Sequence, residues 1–204
     1  MYNVYLASGL SIGNAMQTRS LKTDIILEVN RKLQGYFDRV ILAHDAIRGR
    51  PKYGRALVQW LAFVPVVQPH ELLVYLLPLG SKMVEAKKIG VGAPPPNHDG
   101  FTALYAGGAS AGSEVYDRFS NDAALIANLM FHEFMHNKLN LGNTLHSRNG
   151  LAAATVTAAT QLTNENINDM AAALDARRPQ WVDGVGIISA RSAMSDNDPA
   201  KGLF

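Results

Sequence analysis

The sequence contains no cysteine among its 204 residues. Disulfide bonds are therefore excluded, and so are metal sites built from thiolates. Any metal ion that this chain holds must be bound by histidine, aspartate or glutamate side chains. The sequence has six histidines, which are enough to form a metal site of this kind.

The sequence also lacks an excess of either charge. Lysine and arginine number 19 against 17 aspartates and glutamates, for a formal net charge of +2. A nucleic-acid-binding chain usually carries a clear basic patch or run. Here the basic residues of the first quarter are scattered and are interpreted as a solvated face: Lys32, Arg39, Arg48, Arg50, Lys52 and Arg55. We therefore expect no nucleic-acid partner.

Long apolar runs are missing as well. The best candidate, residues 57–68, is too short to span a bilayer. Met1 is not followed by the basic and apolar regions of a secretory signal. These features predict a soluble protein without a membrane partner or signal peptide, located in the cytoplasm or exported by a specialised secretion system. They do not indicate an oligomeric state.

The composition suits one domain with a sizeable core, since 48% of residues are hydrophobic and 18% charged. Apolar and β-branched stretches predict strands at residues 3–7, 40–43, 57–67 and 71–79, and an extended segment at 101–106. Apolar residues at helical spacing predict helices at 21–37, 120–139 and 163–177. This order of elements predicts an α+β fold.

The ends of the last two helices carry recognisable signals. Ser120 or Asn121 can cap the first of them, with Asp122 in its first turn and Gly142 beyond its end. Thr163 is the predicted N-cap of the other.

The segment His132-Glu133-Phe134-Met135-His136 lies in the middle of helix 120–139. Two histidines four residues apart project from one helix face, so both rings can reach one metal ion. Glu133 lies one step round the helix, where it can take a proton from a water bound to that ion. Apolar residues surround the trio, and a buried polar trio needs a specific partner. The pattern therefore predicts a zinc site with Glu133 as the catalytic base.

This segment, following a strand-rich N-terminal half, resembles the active-site helix of the zincin metallopeptidases. The resemblance implies one catalytic Zn²⁺, hydrolysis of peptide bonds in a protein or peptide substrate, and a cleft between two lobes. The implied fold is a zincin-like α+β domain over residues 1–204. Its upper lobe, about 1–140, would place a mixed sheet on the active-site helix, and its smaller helical lobe would cover about 141–204.

Two positions compete for the third zinc ligand. His146 follows Gly142 and resembles the returning histidine of the metzincins, although the helix here is about one turn longer. Met194 is similarly placed to the methionine of the metzincin Met-turn. Glu165 resembles the zinc-binding glutamate of the gluzincins, with Asp169 four residues on as the support of a zinc histidine. A glutamate in the first turn of a helix is also favoured by the helix dipole alone.

Zincins bind an extended substrate along an edge strand just before the active-site helix. Thr102, Ala103, Leu104 and Tyr105 occupy that place in this sequence and are the predicted substrate-binding residues. The neighbouring pairs His44–Asp45 and His98–Asp99 are predicted to lie on solvated loops.

Three functions are compatible with these features. The first is a zinc endopeptidase. The second is an effector or toxin peptidase that uses the same chemistry on one target. The third is a non-catalytic binding module stabilised by zinc, which would not need Glu133 beside its ligands.

Overall fold

A computed structural model of the protein describes residues 1–7, 9–12, 15–18, 21–61, 70–78, 90–91, 113–117, 122–139, 141 and 143–176. The strands within these ranges are β1 (Tyr2–Ala7), β2 (Gly9–Ile12), β3 (Ala15–Thr18), β4 (Ala56–Leu61), β5 (Leu72–Pro78), β6 (Gly90–Val91) and β7 (Ser113–Asp117). The helices are α1 (Thr23–Arg48), α2 (Ala123–Leu139) and α3 (Asn164–Ala173), with 3₁₀ turns η1 (Asn143–Ser147) and η2 (Gly150–Ala152) between the last two.

Five of the strands form one mixed sheet in the order β4-β1-β5-β7-β6. Strand β1 runs parallel to β4 and to β5, and β5 runs parallel to β7. Strand β6 is antiparallel to β7 and is the last strand on that side of the sheet among the described residues. Strands β2 and β3 pair separately as an antiparallel hairpin. The fold class is therefore α+β, as predicted.

The helices cover this sheet and share one core with it. Helix α1 packs against β4, α2 packs against β5 and β7, and the two helices contact each other. Phe37 of α1 sits between two rings of α2, with centroid distances of 5.4 Å to Phe131 and 5.6 Å to Phe134. Helix α2 is buried along almost its whole length, from Ala123 to Lys138. An apolar helix surrounded in this way fixes the position of whatever polar residues it carries.

The segment after α2 belongs to the same core. Leu145, Leu151 and Ile167 are buried in one cluster with residues of α1 and α2. Helix α3 packs against both of these helices. The predicted division into two lobes at about residue 140 stays a prediction, since residues 177–204 lie outside the described ranges.

Most predicted elements are confirmed, with shifted ends. The strands at 3–7 and 71–79 are β1 and β5, and the described part of 57–67 lies within β4. The helices at 120–139 and 163–177 are α2 and α3, and Thr163 caps α3 by accepting a hydrogen bond from the Asn166 amide. The cap of α2 differs from the prediction. Helix α2 begins at Ala123, and the Asp122 carboxylate accepts from the Leu125 amide at 2.9 Å.

The predicted helix at 21–37 is confirmed but runs past its predicted end, and the predicted strand at 40–43 is wrong. One helix runs from Thr23 to Arg48 and ends at Gly49, whose left-handed backbone (φ 67°) closes it. The buried residues continue at helical spacing through the supposed strand: Val29, Leu33, Phe37, Val40, Ile41 and His44. Packing of this face decides the structure over the β-propensity of Val40 and Ile41.

The prediction of a solvated loop at His44–Asp45 is wrong for the same reason. His44 is buried on α1, and its Nε2 lies 3.3 Å from a carboxylate oxygen of Asp175, just after α3. The same carboxylate accepts hydrogen bonds from Arg48, from Lys52 Nζ at 2.6 Å and from Tyr53 Oη at 2.5 Å. These contacts join the C-terminal ends of α1 and α3, which fixes α3 beside the segment described next.

Candidate metal centre

Three histidines converge at the C-terminal half of α2. His132 and His136 project from one face of the helix, and His146 approaches from η1. The Nε2 atom of His136 lies 3.0 Å from that of His132 and 3.0 Å from that of His146. The third separation, between His146 and His132, is 3.3 Å. His132 and His136 are buried and His146 is half-buried, so the triangle faces a partly open side.

Backbone carbonyls orient two of these rings from behind. His132 Nδ1 lies 2.6 Å from the Leu151 carbonyl oxygen, and His136 Nδ1 lies 2.8 Å from that of Leu141. A carbonyl oxygen only accepts, so each Nδ1 must carry the proton and donate. A neutral imidazole has one N–H, and each Nε2 is therefore left with a lone pair pointing into the triangle.

Facing lone pairs at 3.0 Å repel unless a positive charge lies between them. A proton is a poor candidate at neutral pH. Burial lowers the pKa of His132 to about 4, and burial together with the neighbouring His132 lowers that of His136 to about 3. Both rings are therefore neutral at pH 7, and a metal cation is the charge that this arrangement can accept.

The donor set fits zinc. A tetrahedral ion with Zn–N bonds of about 2.0–2.1 Å holds its nitrogen ligands about 3.3 Å apart. The observed separations of 3.0 Å and 3.3 Å lie close to this value. Neutral imidazoles with a second hydrogen bond at Nδ1 are also the usual form of zinc-binding histidine. Three protein ligands would leave a fourth position for water or substrate.

Glu133 lies on the same helix as two of these histidines. It is 1% exposed and directly follows His132. At 3.6 residues per turn its side chain leaves α2 about 100° round from His132, away from the face that the two histidines share. Such a position suits a carboxylate that acts next to a metal ion without being its ligand.

The alternative third ligand lies elsewhere. Glu165 is exposed in the first turn of α3 and is not part of the one cluster of metal-binding side chains found in the described residues. Asp169, the support expected for a gluzincin site, forms an ion pair with Arg148. The structure thus groups His146, and not Glu165, with the helical pair.

Three other predicted features lie outside the described residues. They are the substrate segment Thr102, Ala103, Leu104 and Tyr105, the Met-turn candidate Met194, and the pair His98–Asp99. Each of them stays a prediction.

No sequence signal indicates the groups that accept hydrogen bonds from His132 and His136. They are backbone carbonyls, of Leu151 and Leu141, and no side-chain pattern marks such a group. Asn166 contacts the same segment, since its Oδ1 accepts a hydrogen bond from the Leu151 amide. Its signal was present as the partner of Thr163 in a capping box, a pattern that predicts a helix start and not a contact with a metal centre.

Comparison of the chain with protein-family models, with curated proteins and with solved structures gives no match. Within the described part of the chain, no helix combines the length and apolar character needed to cross a bilayer. What the site does must therefore be inferred from its geometry.

Acidification is expected to destabilise the metal-free protein. The pKa values of His132 and His136 are about 4 and about 3 in the folded chain, below the ordinary 6.5 that applies after unfolding. Between these values the unfolded chain binds more protons, so the free energy of unfolding falls as the pH drops from about 6.5 towards about 3. Urea unfolding across this pH range, with a chelator present, measures the effect.

The control for this experiment is the double variant His132→Gln, His136→Gln. It lacks the two histidines whose pKa values are lowered, so its free energy of unfolding should depend less steeply on pH over the same interval. Equal slopes for the two proteins would mean that these rings are not buried in their neutral form.

Proposed function

We propose that the protein is a zinc-dependent peptidase that hydrolyses peptide bonds, with His132, His136 and His146 as ligands and Glu133 as the general base. The observation that carries this proposal is the triangle of three Nε2 atoms, each within 3.3 Å of the others. A buried carboxylate next to one ligand supports a catalytic site over a closed structural one.

Each side chain has a separate task in this mechanism. The three histidines bind the ion through Nε2, and the Leu151 and Leu141 carbonyls keep His132 and His136 in the required tautomer. Zinc, when bound, supplies a Lewis acid that polarises the scissile carbonyl and lowers the pKa of water. The Glu133 carboxylate accepts the proton of the attacking water and passes it to the leaving amine.

The strand next to α2 is a feature that favours a peptide as the substrate. Among the described residues, strand β6 (Gly90–Val91) is the outermost strand beside β7, and it contacts α2. An extended peptide can add to such a strand through main-chain hydrogen bonds, while side-chain pockets select its sequence. This strand lies in the described part of the chain, and the segment Thr102–Tyr105 remains a further candidate for the same task.

We also infer that the fold is of the zincin type, as the resemblance implies. A mixed sheet packed on a buried helix that carries both histidines supports this, as does the returning His146. An effector peptidase with one specific target would use the same residues. The metal centre therefore does not distinguish an effector from a general peptidase, and only the substrate does.

The purified protein is expected to contain about one equivalent of zinc. Among the described residues, one group of three histidines could hold a metal ion, and such a group would bind a single ion. Elemental analysis after dialysis measures the metal content. Zinc restored at 100 times its Kd should raise the free energy of unfolding of the metal-free protein by about 2.7 kcal/mol.

Hydrolysis of a peptide library by the same sample tests the catalytic part of the proposal. Zinc with hydrolysis supports the peptidase. Zinc without hydrolysis of any peptide identifies a zinc-stabilised binding module instead. A folded protein that never takes up zinc contradicts both.

A further inference from the structure

Asn166 is a buried amide with every polar atom in use. It lies in the first turn of α3 and is 0% exposed. Its Oδ1 accepts from the Leu151 amide at 2.8 Å and from the Thr163 amide at 3.3 Å. Its Nδ2 donates to the Asn149 carbonyl oxygen at 2.9 Å. Capping of α3 alone would need just one of these contacts, so the other two require another explanation.

The two extra contacts hold the turn Asn149–Gly150–Leu151. Gly150 adopts a left-handed backbone, with φ at 65°. A Cβ atom at this position would lie 2.5 Å from Asn166 Oδ1 and 2.8 Å from the Gln161 carbonyl oxygen. The turn is therefore pressed against the start of α3 so closely that only glycine fits. The Asn166 side chain is hydrogen-bonded to both ends of this turn.

The backbone of Leu151 makes two hydrogen bonds, one on each side of this turn. Its N–H binds Asn166, and its carbonyl oxygen accepts the 2.6 Å hydrogen bond from His132 Nδ1. We propose that Asn166 is a positioning residue for the metal centre, which fixes the His132 ring through the Leu151 peptide and thereby raises zinc affinity. Asn166 does not belong to the ligand set, and it acts through the backbone of a turn 15 residues away in sequence.

A second contact of α3 holds the other end of the same segment. Asp169, one helical turn after Asn166, forms an ion pair with Arg148. Arg148 lies two residues after His146, and its backbone amide donates to the Leu145 carbonyl oxygen at 3.1 Å. Helix α3 thus holds the segment that carries both the third ligand and the hydrogen-bond partner of the first.

Positioning by Asn166 presupposes the zinc site proposed above. The test compares Asn166→Ala with Asn128→Ala in the full chain. Asn128 is an equally buried asparagine, on α2, whose Nδ2 donates to carbonyl oxygens of another loop, at Thr157 and Thr160. Both variants remove a buried amide and should lower the free energy of unfolding. Only Asn166→Ala removes the support of a histidine ligand.

Zinc affinity is measured by competition with a chelator. Asn166→Ala is expected to weaken zinc binding by about 10-fold or more, the lower end of the range for groups that orient a ligand. Asn128→Ala should keep an affinity close to that of the unchanged protein. Equal affinities for the two variants would overturn the proposal and leave Asn166 as a helix cap alone.

A second measurement uses the metal-free protein and does not depend on zinc. Solvent exchange of the His132 Nδ1 proton, followed by NMR, should be about 10-fold faster in Asn166→Ala and unchanged in Asn128→Ala. If the unchanged protein binds no zinc, the proposed function fails, whereas the link from Asn166 to His132 is still decided by this exchange rate.

If Asn166→Ala does not fold, Asn166→Asp replaces it. This variant keeps the acceptor for Leu151 and loses the donor to Asn149, and it should weaken zinc binding more than Asn128→Ala.

Discussion

Replacing Glu133 by glutamine is expected to abolish peptide hydrolysis while the protein keeps its zinc. Glutamine has nearly the same shape as glutamate, and the side chain is 1% exposed, so the packing of α2 should change little. A neutral amide cannot accept the proton of the attacking water. General bases contribute about 10²–10⁴-fold to rates, so kcat should fall by at least about 100-fold. Initial rates on a cleavable library peptide and elemental analysis of the same sample measure both effects.

Glu165→Gln is the matched control for this substitution. It makes the same chemical change at an exposed residue of α3 that lies outside the histidine triangle. Its activity and zinc content should equal those of the unchanged protein. Full activity in Glu133→Gln would show that the proposed base is wrong. Loss of zinc in Glu133→Gln would show that this residue supports the metal and does more than move a proton.

The helical half of the candidate metal centre could be predicted because it is local. His132 and His136 are four residues apart, and helix geometry alone brings their rings together. The third candidate ligand could not be predicted from local spacing. Both His146 and Glu165 have acceptable spacing in the sequence, and only the path of the chain after α2 decides between them. That path depends on the contacts of η2 with α2 and α3 and of η1 with η2, which no local pattern encodes.

The fold could be predicted wherever one periodicity dominates a segment. Strand β1 and helices α2 and α3 are of this kind. The local strand preference of Val40 and Ile41 makes the predicted helix too short, although their burial continues the helical face of Val29 and Leu33. The prediction for His44 is wrong as a consequence. The His44 Nε2 atom lies 3.3 Å from the Asp175 carboxylate, 131 residues away in the sequence, and a contact of that range leaves no mark near His44.

Removing the third ligand is expected to release the zinc, whereas removing its rival is not. His146→Ala deletes one corner of the triangle, whose Nε2 lies 3.0 Å from that of His136 and 3.3 Å from that of His132. Loss of a group that merely orients a ligand costs about 10–100-fold in metal affinity, and loss of the ligand itself should cost more. His146 is half-buried on a short 3₁₀ turn, so the core packing of α2 should survive its truncation.

Glu165→Ala should leave the zinc content unchanged, because Glu165 is exposed and stands apart from the triangle. Its favourable position near the start of α3 is worth only about 0.3–1 kcal/mol of stability. Chelator competition measures zinc affinity in both variants, and urea unfolding shows that each is folded.

The opposite outcome, with zinc lost in Glu165→Ala and kept in His146→Ala, would assign the third ligand to α3. Asp169 would then have to leave Arg148 to support a zinc histidine, and breaking that ion pair by Arg148→Ala would raise zinc affinity. With His146 as ligand, the same substitution loosens the segment that carries it, and zinc affinity falls.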